Sequence, residues 1–226
     1  GETLGLTGSG VLDSPAAGSR TIVNTNTLAI SDGSGIATNY TLTNGTLTMT
    51  IVPRSTTVSG TKTYDGTTNV ASSNLTSFSN LAGSDTLSLS GTGTISSADV
   101  GTGKTVNTSG LTIDNSSGVG SNYTLSAATV NVTERVIGLS GVRAFDGTNN
   151  ASSTDLSISN LVSGENLTLS GSGTVPNATV EMNKAISLGS LSISDGSGGK
   201  SSNYTLTGGS HTCLLYTSPS PRDLST

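Results

Sequence analysis

Residues 61–69 read Thr-Lys-Thr-Tyr-Asp-Gly-Thr-Thr-Asn (TKTYDGTTN), and residues 142–150 return the stretch as VRAFDGTNN. The aromatic closes an alternating run. Asp65 can accept from the backbone two residues on, and Gly66 permits a positive φ, so the stretch reads as a strand running into a turn. In the second copy Phe145, Asp146 and Gly147 hold these places, with Arg143 where the first has Lys62. A catalytic phenol would not survive exchange of Tyr64 for Phe145, whereas an aromatic covering the end of a module would. Both rings are therefore expected to be buried, in equivalent positions.

Outward from this stretch the chain repeats. TNYTL at 38–42 returns as SNYTL at 121–125 and 202–206, and other positions keep the same register. Leu4 and Leu6 match Leu87 and Leu89, then Leu167 and Leu169; Leu28 and Ile30 match Leu111 and Ile113, then Leu191 and Ile193. The period is about eighty residues. Its length slips fall in Gly/Ser/Asn-rich stretches, where loops tolerate them. On this register 1–53 is the C-terminal part of a unit, 54–133 a complete unit and 134–212 another.

Within each unit apolar residues alternate with Ser and Thr, as in TLSLSG, GLTID and TVNVT. Period two marks half-buried strands, and Thr is a good strand former. Gly-x-Gly, Asp-Gly and Asn/Ser-Gly punctuation separates the strands, and the 30 glycines weaken any helical reading. The expected fold is all-β: tandem, Ig-like antiparallel sandwich modules with mainly local pairing, or alternatively β-grasp-like modules. A parallel solenoid would repeat its apolar pattern about every twenty residues, which TLSLSG and NYTL do not. Few hydrogen bonds should cross the short VTERV junction at 132–136.

A net charge of −5 leaves no electrostatic basis for nucleic-acid binding. No apolar run reaches the ~18 residues of a membrane span. At the C-terminus, CLLYTSPSPRD (213–223) resembles the in-frame translation of a transposase sequencing adapter. The segment 213–226 is accordingly expected to be foreign to the fold and to pack against nothing. On that reading the single cysteine, Cys213, is not native, and the chain is a fragment of something longer.

KTYDGTTNVASSNL, DTLSLSGTGTISSADVGTGKTVNTSGLTI and SNYTLSAATVNVTE closely resemble the YDG-type repeat of large bacterial surface adhesins, the filamentous-haemagglutinin-like exoproteins. The matching elements are Lys62, Tyr64-Asp65-Gly66, Asp99-Val100-Gly101 with Lys104, and Asn122-Tyr123, then Phe145-Asp146-Gly147 and Asn203-Tyr204. The second copy departs at NATVEMNKAI (177–186), which lacks Asp-Val-Gly. The resemblance implies a secreted or surface-exposed, non-enzymatic, all-β stalk or adhesive segment. Its partners would be neighbouring repeats and a host-cell or glycan receptor, with no cofactor.

Chemistry read from the residues agrees with that class. A Ser-His-Asp arrangement needs a base, and the one histidine, His211, stands beside the tail, at an end expected to fray. Acids are scattered singly, as Asp65, Asp85, Asp99 and Asp114, rather than paired for glycoside cleavage. The SDGSG loops at 31–35 and 194–198 carry one carboxylate each, short of a calcium loop, and read as Asx turns. A Lys–Asn isopeptide with a supporting acid fails because Asp99 becomes Thr179 in the next unit. The competing function is a carbohydrate-binding module, which would need exposed aromatics.

Overall fold

The computed structural model describes residues 1–42 and 47–216. Strands dominate, and the helical segments are three-residue 3-10 turns. The N-terminal unit contributes β1 (Leu4–Thr7), β2 (Val11–Leu12), β3 (Gly18–Asn24), β4 (Ala29–Asp32) and β5 (Thr48–Ile51). The middle unit has seven strands: β6 (Arg54–Thr63), β7 (Asn69–Ala71), β8 (Leu75–Ser79), β9 (Leu87–Thr94), β10 (Gly101–Thr105), β11 (Leu111–Asn115) and β12 (Tyr123–Thr133). The C-terminal unit opens with β13 (Arg135–Val136), β14 (Gly138–Ala144), β15 (Asn150–Ser152), β16 (Leu156–Ser159) and β17 (Leu167–Ser170). It continues with β18 (Ser172–Thr174), β19 (Glu181–Ala185), β20 (Ser192–Asp195), β21 (Tyr204–Thr205) and β22 (His211–Tyr216).

The middle unit forms a four-stranded sheet in the order β10-β12-β6-β8 and a three-stranded sheet β11-β9-β7. The C-terminal unit reproduces the first sheet strand for strand as β16-β14-β22-β19. Its β15-β18 and β17-β20 pairs stand where β7, β9 and β11 stand. Pairing is antiparallel, as the alternation predicts, with one correction. The first and last strands of the middle and C-terminal units run parallel: β6 with β12, β14 with β22, and the short β13 with β21. Pairing is therefore not mainly local, because a unit closes only when its last strand arrives beside its first. Among the described residues no strand pairing joins 54–133 to 134–212, which is modular rather than solenoidal.

Alternation sets the core. In β6, Thr56, Val58 and Lys62 are buried while their neighbours face out, and Val130 and Val132 of β12 point the same way. Val70, Ile95 and Val106 join them in one apolar cluster that continues into Ile137, Leu139, Leu191 and Leu215. Gly60 is demanded by proximity: a Cβ there would lie 1.7 Å from the Asn74 carbonyl oxygen, and one at its counterpart Gly141 would lie 2.1 Å from that of Asp155. A side chain at either place would push the crossing turn off the sheet.

The tail expectation fails for its first residues. Cys213 and Leu215 are buried in β22, which pairs with both β14 and β19. Cys-Leu-Leu alternates as Val130-Asn131-Val132 does, and Gly141 and Lys184 flank Cys213 as Gly60 and Lys104 flank Val130. The physical reason is that a central strand position must be filled, and any short alternating apolar run satisfies it. His211 likewise does not fray: it opens β22, with its Nε2 2.9 Å from the Leu206 carbonyl oxygen. The remainder of the tail, 217–226, lies outside the described residues.

Candidate functional site: the junction between units

Lys62, Asp65 and Thr67 build the Tyr-Asp-Gly turn. The Lys62 ammonium, 5 % exposed, donates to the carbonyl oxygens of Thr67 (2.8 Å) and Asn69 and pairs with Asp65 at 2.8 Å. Asp65 in turn accepts from the Thr67 backbone N–H at 2.9 Å. Partial burial pushes the Asp65 carboxyl up, but Lys62 and Thr67 outweigh it, and the net shift is downward. Gly66 holds φ at +76° and Gly147 at +84°. In the second copy Arg143 meets Asp146 at 2.5 Å, and the Thr148 N–H donates to Asp146 at 2.9 Å. Either cation preforms the same turn.

That turn aims Tyr64 out of its own unit. Its ring meets Tyr204 of the next unit edge-on, with centroids 5.4 Å apart and planes at 79°. Its hydroxyl donates to Glu165 Oε1, while the Tyr204 hydroxyl donates to Glu165 Oε2 at 2.7 Å and accepts from the Val162 N–H at 3.1 Å. Burial, then the Glu165 carboxylate, holds the Tyr64 phenol well above its usual range, and the same two causes raise Tyr204. Gly66 lies against the same wall, since a Cβ there would come within 2.7 Å of Val162 Cγ1.

A second contact lies beside the first. The Val100 N–H donates to Asn203 Oδ1 at 2.9 Å, Asn203 Nδ2 donates to Asp99 Oδ1 at 2.9 Å, and Lys200 donates to Asp99 Oδ2 at 2.6 Å. Lys200 and then Asn203 depress the Asp99 carboxyl to about 2. Gly101 begins β10 opposite Val132, and Lys104 donates to the Ser97 carbonyl oxygen at 3.0 Å, which holds the loop that carries Asp99. Tyr64, Asp99 and Val100 of the middle unit thus meet Glu165, Asn203 and Tyr204 of the next.

The preceding junction repeats half of this. Asn122 Oδ1 accepts from the Ala17 N–H at 2.8 Å, as Asn203 does from Val100. Tyr123 donates to Asp85 and accepts from the Ala82 N–H at 3.0 Å, and Tyr40 donates to Glu2 at 2.6 Å. Glu2, Asp85 and Glu165 therefore have a common role as phenol acceptors, which the apparent scatter of single acids along the sequence conceals. Glu2, Asp85 and Glu165 each stand two residues before a repeated leucine and 38 or 39 residues before their tyrosine, a spacing that reveals the pairing.

Tyr64 is buried as expected, and Tyr123 and Tyr204 are buried with it. Phe145 is not: it is 50 % exposed against 5 % for Tyr64. Tyr64 is covered by the following unit rather than by its own, and Phe145 has no such cover among the described residues. The expected Asx turns are replaced by wider loops, in which the side chain reaches five or six residues on. Asp32, Asn115 and Asp195 accept from the N–H groups of Ala37, Gly120 and Ser201 at 2.6–2.7 Å, which sets the 3-10 turn before each Asn-Tyr pair.

No curated protein and no solved structure matches the chain. The YDG domain family matches residues 46–131 and again 133–212. With well over half of its length matched in two consecutive copies, the chain belongs to the YDG domain family.

Proposed function

We propose that this chain is a non-enzymatic structural segment of a secreted or surface-exposed bacterial adhesin, a stalk or spacer whose repeats lock to one another. The supporting observation is the junction itself: the residues of the Tyr-Asp-Gly, Asp-Val-Gly and Asn-Tyr motifs meet there, across two units, and satisfy one another. Tyr64, Tyr123 and Tyr204 have no face left for stacking on a sugar, which favours this reading over a carbohydrate-binding module, whereas Tyr40 and Phe145 are about half exposed. A lock of this kind restrains the angle between neighbours and transmits load along the chain.

The test is the Tyr64→Ala variant of the full chain, with spin or fluorophore labels on the middle and C-terminal units. The expected result is a broadened inter-unit distance distribution with each unit still folded. An unchanged distribution would remove the lock. A glycan array probed with the unaltered chain decides against the competing reading if it is blank, and in its favour if binding follows an exposed aromatic such as Phe145.

A further inference from the structure

The two junctions share a backbone frame and differ at one pair of side chains. Asn122 and Asn203 each end a 3-10 turn, Gly120–Asn122 and Ser201–Asn203. Each accepts on Oδ1 an N–H from the preceding unit, that of Ala17 at 2.8 Å and that of Val100 at 2.9 Å. The residues just before those N–H groups are therefore equivalent: Ala16 in the N-terminal unit and Asp99 in the middle one. So are the residues just before the turns, Val119 and Lys200. The bracing of the loop is kept too, since Arg20 donates to the Ala16 carbonyl oxygen at 2.6 Å and Lys104 to that of Ser97 at 3.0 Å.

Within that frame the pair changes as a set. Asp99 and Lys200 meet at 2.6 Å across the units, and among the described residues this is the one ion pair Lys200 makes. Ala16 and Val119 carry neither a charge nor a side-chain hydrogen-bonding group. Mixed pairings are the unfavourable ones. A valine set against Asp99 leaves the carboxylate with an amide and no cation, and Lys200 set against an alanine leaves the ammonium with no anion. The phenol lock does not make this distinction. Asp85 with Tyr123 presents the same chemistry as Glu165 with Tyr204, so either unit could receive the Tyr64 turn.

We propose that Asp99 and Lys200 select neighbours. The Asp-Val-Gly loop of the middle unit admits a repeat that carries a cation just before its Asn-Tyr turn, and disfavours one that carries an apolar residue there. Repeats this alike can dock on the wrong unit of the same chain or on a second copy of it, a characteristic failure of repeat proteins. The inference rests on the interlocking reading above and deepens it by naming the partner that one face takes. Asp99 and Lys200 are 38 % and 60 % exposed, so the discrimination at this junction is a factor of about two to five.

The test is a double-mutant cycle in the full chain, with fluorophores on the middle and C-terminal units and the opening rate of the junction read from single-molecule energy transfer. Lys200→Val installs the residue of the middle unit, Lys200→Asp sets like charges together, and Lys200→Arg keeps the cation. Each is made with Asp99 and with Asp99→Asn, which removes the charge and keeps the acceptor for the Asn203 amide. With Asp99 present, Lys200→Val should raise the opening rate about two- to fivefold, Lys200→Asp more, and Lys200→Arg by less than about 1.5-fold. With Asp99→Asn, Lys200→Val should change it by less than about 1.5-fold. Indifference to Lys200→Val in the Asp99 chain would overturn the assignment. So would an equal effect in both backgrounds, because the lysine would then act through its packing and not its charge. Tyr64→Ala on the same labels reports the lock itself. A junction loosened by Tyr64→Ala but deaf to Lys200→Val removes this inference alone, and one deaf to both removes the lock.

Discussion

Glu165 accepts two phenols, one from each unit, and that single carboxylate explains why Tyr64 and Phe145 fare differently. Tyr204→Ala should cost about 3–5 kcal/mol, as for other buried aromatics, and Tyr64→Ala a similar amount spread between its own unit and the next. Phe145→Ala should lie within about 0.5 kcal/mol of the unaltered chain, because the ring is half in water. Urea denaturation of the three variants checks the order, and a Phe145 variant as damaging as the Tyr64 one would contradict it. The sequence shows that the aromatic matters but not what covers it. A strand-end aromatic in a turn looks identical whether the next unit supplies a wall or not. The Glu2, Asp85 and Glu165 spacing was the legible clue, and it becomes visible only when acids are aligned on the leucines rather than counted.

Strands carry the clearest signal in this chain, and the alternation of β6, β9 and β12 is readable residue by residue. What alternation cannot convey is which strand lies beside which. The parallel β6–β12 pairing spans the whole unit, and its only sequence trace is the pair of glycines, Gly60 and Gly141, that admit a crossing turn. The same blindness explains β22. An inward pattern is all that a central strand requires, so Cys213-Leu214-Leu215 fits a place that Val130-Asn131-Val132 fills in the middle unit. Replacing the three together (Cys213→Val, Leu214→Asn, Leu215→Val) should leave the C-terminal unit folded and within about 1.5 kcal/mol of its starting stability, since volume and pattern are kept. Leu215→Asp alone should unfold that unit while the middle one persists, because it buries an unpaired charge between β14 and β19. Hydrogen exchange resolved by unit separates the two outcomes.

At the scale of the whole chain, the junction joins units through side chains and not through a continuous sheet, so its strength should follow the protonation of the groups that meet there. Asp99 is held at about 2, against an ordinary 3.8, by Lys200 and Asn203. A depressed carboxyl contributes stability that is fully present above 3.8 and is lost as pH falls through about 2. The ion pair is partly exposed, so this contribution is modest and screened by salt. Tyr64 and Tyr204 are shifted the other way, upward from 10.0, by burial and by Glu165. Their contribution is present below that value and is lost as pH rises beyond it, when the separated units gain by ionising and the joined ones do not. The inter-unit distance distribution should therefore stay narrow between the two limits and broaden at both ends. The acid limb should shrink in Lys200→Ala, which leaves Asp99 with the Asn203 amide but without its cation, and should weaken at high salt. The alkaline limb should persist in that variant and change with Tyr64→Phe, which keeps the edge-on ring and removes the phenol. Labels on the middle and C-terminal units, read across pH in the three chains, check both limbs. A single broadening that ignores both substitutions would mean that the units themselves unfold and that the junction carries no pH dependence of its own.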